Sequence, residues 1–338
     1  MRRKDLKMSI CLPAYNGGKM IAMTIQNILS QSFTDYELII INDNSTDNTA
    51  EVVKSFKDKR IKYFKNSQNL GYPGNLEECR KKATGDILYL MGQDDILAEN
   101  TLLRTYEIFE KDDNIGAVTR PYFWFDEKID FPVRAKKQLN PERDEMVTIS
   151  DDPKRIIAVL QTLDQVSGLA MRRKFVDIPF GKEIFTCHVY PFVSVFKRHP
   201  VIFLRNYCLA VRMSSSMSRT TSSVYNKSPM ESWVEMFEDV LFEKRFDKIR
   251  KYCLKNFVAL NYIGLVQLRN YAKFRYLLRE IYFLLKYRWK NIFSLLFWIF
   301  SLGCIIMPPC LLIPLVSWYK GKINSKRFSK IKFRYTIQ

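Results

Sequence analysis

Three short polar clusters interrupt the apolar N-terminal third of this 338-residue chain: Pro13-Ala14-Tyr15-Asn16, Asn42-Asp43-Asn44-Ser45-Thr46-Asp47 and Gln93-Asp94-Asp95. Their residue types suit nucleotide and metal chemistry. One carboxylate can accept a hydrogen bond from the imide of a base, and an adjacent pair can hold a divalent cation through oxygen. A cation held there would neutralise a phosphate leaving group. Each cluster also has an ordinary reading: Asp43 and Asp47 could cap a helix starting at Thr49, and Asp94 could open a turn. Acids gathered without a cation repel one another, which favours the functional reading where all three clusters fall together.

Their meeting depends on the elements that carry them. Residues 8–12, 36–41, 61–64 and 86–91 read as short buried strands, and 22–31, 49–57, 75–82 and 100–110 as helices. This alternation predicts an α/β fold with a parallel sheet covered by helices. Ligands on such sheets sit beyond the carboxyl ends of the strands, where all three clusters lie. From Arg120 to about Arg212 the pattern loosens to α+β. The run 214–223 is almost entirely Ser, Thr and Arg and reads as a loop. Ser228-Pro229 then suits a helix start, with Ser228 as cap and Pro229 in the first turn.

In order and spacing these segments resemble family 2 glycosyltransferases of the GT-A fold. The resemblance rests on Ser9-Ile10-Cys11-Leu12-Pro13-Ala14-Tyr15-Asn16, Ile41-Asn42-Asp43-Asn44-Ser45-Thr46-Asp47, Asn69-Leu70-Gly71, and Ala83-Thr84-Gly85-Asp86 running into Gln93-Asp94-Asp95. Ser167-Gly168-Leu169-Ala170-Met171-Arg172-Arg173 extends it, and it fades after about residue 215. It implies a Rossmann-like, mostly parallel sheet and inverting transfer from a nucleotide sugar, UDP-linked, with Mg²⁺ or Mn²⁺. The implied donor-binding set is Pro13, Ala14, Tyr15, Asn16, Asp43, Gly71, Asn75, Gln93, Asp94, Arg212 and Arg219, with Asp43 on the uracil imide. Gln93-Asp94-Asp95 matches the family's D-x-D element, Gln93 replacing the first acid. Asp95 is then the metal ligand and Asp94 lies at the metal or the donor sugar; Mg²⁺ keeps waters and tolerates the lost acid.

The resemblance also implies a carboxylate base near positions 187 and 188, where this chain has Cys187-His188. His188 titrates near neutrality and is read here as the catalytic base for the acceptor hydroxyl, with Asp177 or Glu183 as alternatives. The family's Arg-x-His appears as Arg212-Met213-Ser214. Arg212 and Arg219 would reach the diphosphate from a loop that orders over the donor. Arg172-Arg173 is a weaker phosphate candidate.

Composition bounds the rest. The chain carries 54 Lys+Arg against 35 Asp+Glu, a formal net charge of +19. Residues 248–338 hold 18 of those bases and one acid, Glu280, leaving the preceding part at +2. The charge thus belongs to the tail, and a nucleic-acid partner is not expected. Seven scattered cysteines without C-x-x-C spacing predict a reducing compartment, and the basic start lacks the apolar core of a secretory signal. Residues 291–319 contain no charge, which predicts a membrane segment. Basic clusters on both sides and Pro308-Pro309 in the middle favour a re-entrant hairpin over a tilted single span. The expected organisation is 1–120 for the nucleotide-sugar half, 121–225 for the acceptor half, 226–290 for basic amphipathic helices on anionic lipid, 291–319 for the membrane segment and 320–338 for a basic tail. That places the chain at the cytoplasmic face of the plasma (inner) membrane, acting on a polyprenyl-diphosphate-linked saccharide in bacterial polysaccharide or O-antigen assembly. The rival is a catalytically inactive nucleotide-sugar-binding module.

Overall fold

The computed structural model describes residues 6–214, 222–320 and 325–337. The chain divides into two compact units, one formed up to Phe125, over Ala135–Arg212 and from Lys330 onward, the other by Asp126–Arg134 and Met213–Ser329.

The first unit opens with β1 (Met8–Ala14), buried at all seven positions. A strand covered on both faces has no polar side to alternate with, which explains its continuous apolar run. Helix α1 (Ile21–Leu29) turns Ile21, Ile25 and Ile28 inward at helical spacing. There follow β2 (Tyr36–Asn42), α2 (Thr49–Ser55), β3 (Ile61–Lys65), α3 (Gly71–Lys82) and β4 (Ile87–Leu90). Next come β5 (Ile96–Leu97), α4 (Thr101–Lys111), β6 (Ala117–Thr119), β7 (Phe123–Phe125), β8 (Pro132–Ala135, whose first three residues belong to the second unit), β9 (Glu145–Val147) and α5 (Pro153–Leu160). The unit continues with β10 (Ala170–Arg172), α6 (Val189–Phe196), β11 (Val201–Phe203) and β12 (Leu209–Arg212).

The main sheet has the order β3-β2-β1-β4-β10-β6-β11-β9. Strands β1 to β4 are parallel, as the alternation predicted, but β10 enters antiparallel between β4 and β6. The sheet is therefore mixed. Because β2 and β4 flank β1, the loops after all three leave the same edge side by side.

The second unit is helical. Helix α7 (Pro229–Val240) starts as expected: the Ser228 side chain accepts from Glu231 N–H and Pro229 fills the first turn. Glu280, the lone acid of the basic tail, is buried and accepts from Ser228 Oγ and from Met230 N at 3.0 Å, completing that helix start. Helices α8 (Asp247–Asn256), α9 (Ile263–Tyr271), α10 (Phe274–Tyr287), α11 (Leu295–Ile306) and α12 (Pro309–Tyr319) follow.

The uncharged run forms α11 and α12, broken at Pro308-Pro309 as expected. At 1.5 Å per residue, 12 and 11 residues give about 18 and 17 Å, against a hydrocarbon core of ~30 Å. Among the described residues no helix is long and apolar enough to cross a membrane. Both helices instead lie against α9, with Phe297, Ser301, Cys304 and Leu312 turned inward and Tyr262 edge-on to Phe297. This overturns the C-terminal membrane anchor, as hairpin or as single span, and with it the placement at the cytoplasmic membrane face.

Candidate active site

The site occupies the carboxyl edge of the parallel strands in the first unit. Asp43 follows β2 directly; its backbone N–H donates to Ala14 O at 2.8 Å and the residue is 1% exposed. Its Oδ1 accepts from Asn66 Nδ2 at 2.7 Å and from Leu70 N at 2.9 Å. Its Oδ2 meets no donor among the described residues. The carboxylate is thus fixed through one oxygen, with the other left to take an N–H from a ligand. Gly71, just beyond, has φ +72°, a conformation glycine adopts without strain, and donates to Asn69 Oδ1.

The loops after β1 and β2 are laced together. Asn16 N donates to Ser45 Oγ, Thr46 N to Asn16 Oδ1, Gly17 N to Thr49 Oγ1 and Gly18 N to Asp47 Oδ2. Asn16 and Asn44 hold positive φ, which asparagine tolerates better than most residues. Asp47 also accepts from Thr49 N at the head of α2, where Asn48 rather than Asp47 is the cap residue.

Pro13, Ala14, Tyr15 and Asn16 divide by burial: Pro13 and Ala14 lie inside the sheet, while Tyr15 is 42% exposed and Asn16 stands beside it. Asn75 was expected at the donor. It is buried, and its Nδ2 donates to Ile41 O at 3.0 Å and Ala14 O at 3.5 Å. It ties β1 to β2, and its Oδ1 accepts from Asn66 Nδ2 at 3.2 Å, the same group that holds Asp43.

The second acidic locus is the turn after β4. Asp95 is buried; its Oδ2 accepts from Ser167 Oγ at 2.5 Å and Gln165 Nε2 at 3.2 Å, its Oδ1 from Arg212 N at 3.0 Å. Burial, and then the neighbouring Asp94 charge, push its carboxyl well above the usual range. A Cβ on Gly92 would stand 3.0 Å from Ser167 Oγ, 3.1 Å from Asp95 Oδ2 and 3.3 Å from Asp94 Oδ1. Both carboxylates therefore converge on the small space that glycine leaves open. A buried carboxylate and a half-buried one crowding one space are what a divalent cation would relieve, and Mg²⁺ or Mn²⁺ needs few protein ligands when a diphosphate supplies others. Among the described residues no cluster of three or more His, Cys, Asp or Glu forms a fuller cage. The residues fit a cation shared with a ligand.

Arg212, at the end of β12, stacks its guanidinium 4.8 Å from the Phe125 ring, and its buried Nε meets no partner. Arg219 lies outside the described residues. Arg172 and Arg173 are turned away from the site: Arg172 donates to the carbonyls of Phe109, Asp112 and Ile115, and Arg173 to those of Thr84 and Gly85 before β4. Neither serves a phosphate at the carboxyl edge.

His188 also departs from expectation. It is 5% exposed, and Nε2 meets Leu163 O at 2.8 Å, while Nδ1 faces Cys187 Sγ at 3.8 Å. Burial holds the imidazole down at about 4, despite the Leu163 carbonyl. In this geometry His188 fastens the turn before Gln165 and presents no nitrogen to an acceptor. Asp177, one alternative base, is engaged by Ser194 Oγ and Arg198 Nη2 at 2.9 and 2.8 Å. The buried His188 predicts acid sensitivity. Its imidazole titrates near 6.5 when unfolded and about 4 when folded, so the unfolded chain binds more protons between those values. Stability should fall as pH drops through that window, by about 1.4 kcal/mol per unit and ~3 kcal/mol in total. Urea melts at pH 7 and 4.5 should show this loss shrinking in His188→Gln.

Sequence reasoning missed four supporting residues. Asn66 grips Asp43, while Gln165 and Ser167 grip Asp95. Arg120, wholly buried, donates to the carbonyls of Thr162, Gln165 and Ser167 and so shapes the segment that holds Asp95. Two of them carried a signal: Asn66 by its position just past a strand end, and Ser167 by opening the segment that extends the family resemblance.

Comparisons with known proteins bear on the family and the fold. The glycosyl transferase family 2 profile covers residues 9–177. The Escherichia coli UDP-Glc:alpha-D-GlcNAc-diphosphoundecaprenol beta-1,3-glucosyltransferase WfgD is 35% identical over 98 residues, 29% of this chain and 39% of that protein. The chain spans less than half the length of that relative and of the next, Bacillus subtilis EpsE. Among solved structures, S. aureus TarS 1-349 in complex with UDP-GlcNAc superposes with a TM-score of 0.61 at 16% identity, covering 93% of this chain and 91% of that one. The Pyrobaculum calidifontis mannosyltransferase in complex with GDP-Man and Mn²⁺ gives 0.54 at 14%, covering 96% and 87%. At such identities the structural likeness bears on the fold, which is GT-A-like.

Proposed function

This chain belongs to glycosyl transferase family 2, and we propose that it transfers a sugar from a UDP-linked donor to a saccharide on a polyprenyl diphosphate, in cell-surface polysaccharide synthesis. The observation that carries the reading is the pairing of Asp43 with Asp94–Asp95 at the ends of β2 and β4. With β1 between them those ends lie about 10 Å apart at sheet spacing, the reach from a nucleobase to its diphosphate. Asp43 Oδ2 accepts the uracil imide N–H, Tyr15 covers the ring, and Arg212 donates to the diphosphate. Asp94 and Asp95 would hold Mg²⁺ or Mn²⁺, whose charge neutralises the departing UDP. The UDP donor and the diphosphate-lipid acceptor are supported by the WfgD likeness.

The engaged His188 favours a second reading, binding without turnover. Incubation with UDP-sugars, Mn²⁺ and a polyprenyl-diphosphate saccharide decides between them. The proposal expects an acceptor extended by one sugar with inverted anomeric configuration by NMR. Retention of configuration, or tight UDP binding with no product from any donor, would sink it.

A further inference from the structure

We propose that Gln93 is a positioning residue that holds Tyr15 for the nucleobase and is a ligand neither to the cation nor to the sugar. This rests on the donor reading above. The Gln93 amide pairs with the Tyr15 backbone: Tyr15 N donates to Oε1 at 3.0 Å and Nε2 donates to Tyr15 O at 3.0 Å. Both ends of the side chain are therefore engaged by one backbone unit. The bond pair ties the turn after β4, which bears Asp94 and Asp95, to the turn after β1, which presents the half-exposed tyrosine ring.

Only a carboxamide makes this pair. A carboxylate at the same place accepts from Tyr15 N but sets an oxygen against the Tyr15 carbonyl, and an aspartate is one methylene shorter. The cradle is cut to fit: a Cβ on Gly17 would stand 2.3 Å from Gln93 Oε1 and 2.7 Å from its Cδ. Glycine at 17 and glutamine at 93 thus form one device, in which the departure from the acidic D-x-D pattern couples the base-binding turn to the acidic turn.

The two roles for position 93 separate when the base and the cation are titrated apart. Uridine needs no cation, so its affinity in EDTA reports the base pocket of Tyr15 and Asp43, of which Gln93 touches only Tyr15, while Mn²⁺ affinity read by paramagnetic resonance without nucleotide reports the acidic turn. Gln93→Met keeps the length and removes both hydrogen bonds. It should weaken uridine about tenfold and leave Mn²⁺ affinity within about twofold. Gly17→Ala should reproduce that loss with Gln93 intact, and the double variant should lose no more than either single one, since the two changes remove the same pair. Thermal melts confirm folding of each. A drop in Mn²⁺ affinity with uridine unchanged in Gln93→Met makes Gln93 a cation ligand and overturns the proposal, as does unchanged uridine affinity in both single variants. Failure of the wild-type protein to bind uridine or UDP at all would overturn the donor reading itself, and this proposal with it.

Discussion

Replacing Asp95 with asparagine is expected to lower kcat/KM for the donor by roughly a thousandfold, about 4 kcal/mol of transition-state stabilisation. The amide is the same size and keeps an acceptor for Arg212 N, so the turn should retain its course. It loses the charge; the Ser167 hydroxyl can turn to accept from the new NH₂ group, and only the longer Gln165 Nε2 bond of 3.2 Å is given up. The thermal response should run the other way. Burial and the Asp94 charge both oppose the ionised Asp95 carboxyl, so removing the charge should leave Tm unchanged or higher. Lower activity together with lower Tm would instead mark Asp95 as structural. Kinetics at saturating Mn²⁺, beside a melt of the same preparation, read both signs.

Asp43→Asn is expected to raise the KM for a UDP-sugar about 10- to 100-fold with a smaller change in kcat. That is the range for losing a hydrogen bond to a charged group. With Oδ1 still held by Asn66 and Leu70, the asparagine would turn its NH₂ where Oδ2 had been. A donor then faces the uracil imide N–H and repels it, whereas the same donor suits the unprotonated ring nitrogen of cytosine. Competition by UDP and CDP should show the preference for UDP shrinking or reversing. Equal weakening of both nucleotides would mean that Asp43 shapes the loop without reading the base.

Much of this site was legible because it obeys local rules. The strands β1, β2 and β4 are buried on both faces, so they announce themselves as short apolar runs. The topology of parallel strands then places the polar residues after each of them at one edge. What failed was non-local. Asp95 is held by Ser167 and Gln165, some 70 positions away, because β10 turns back antiparallel beside β4, and no periodicity reports such an insertion. His188 was chosen for its ordinary titration range, but the Leu163 carbonyl and full burial set its state. The error over 291–319 has a similar cause. Hydropathy scores the apolar content of the run and not its partners: α9 takes up Phe297, Cys304 and Leu312, and neither α11 nor α12 is long enough to cross a membrane. The +19 charge, concentrated in the tail, describes the helical unit and says nothing about the donor.

In the proposed function the carboxylates after β2 and β4 work together on a nucleotide sugar and a cation. The most direct measurement is UDP release from a panel of UDP-sugars with Mg²⁺ or Mn²⁺, repeated in EDTA and with Asp95→Asn. Release from at least one donor, abolished by EDTA and by the substitution, is the predicted result. Release that persists undiminished in both, or none from any donor with the cation present, would contradict the account.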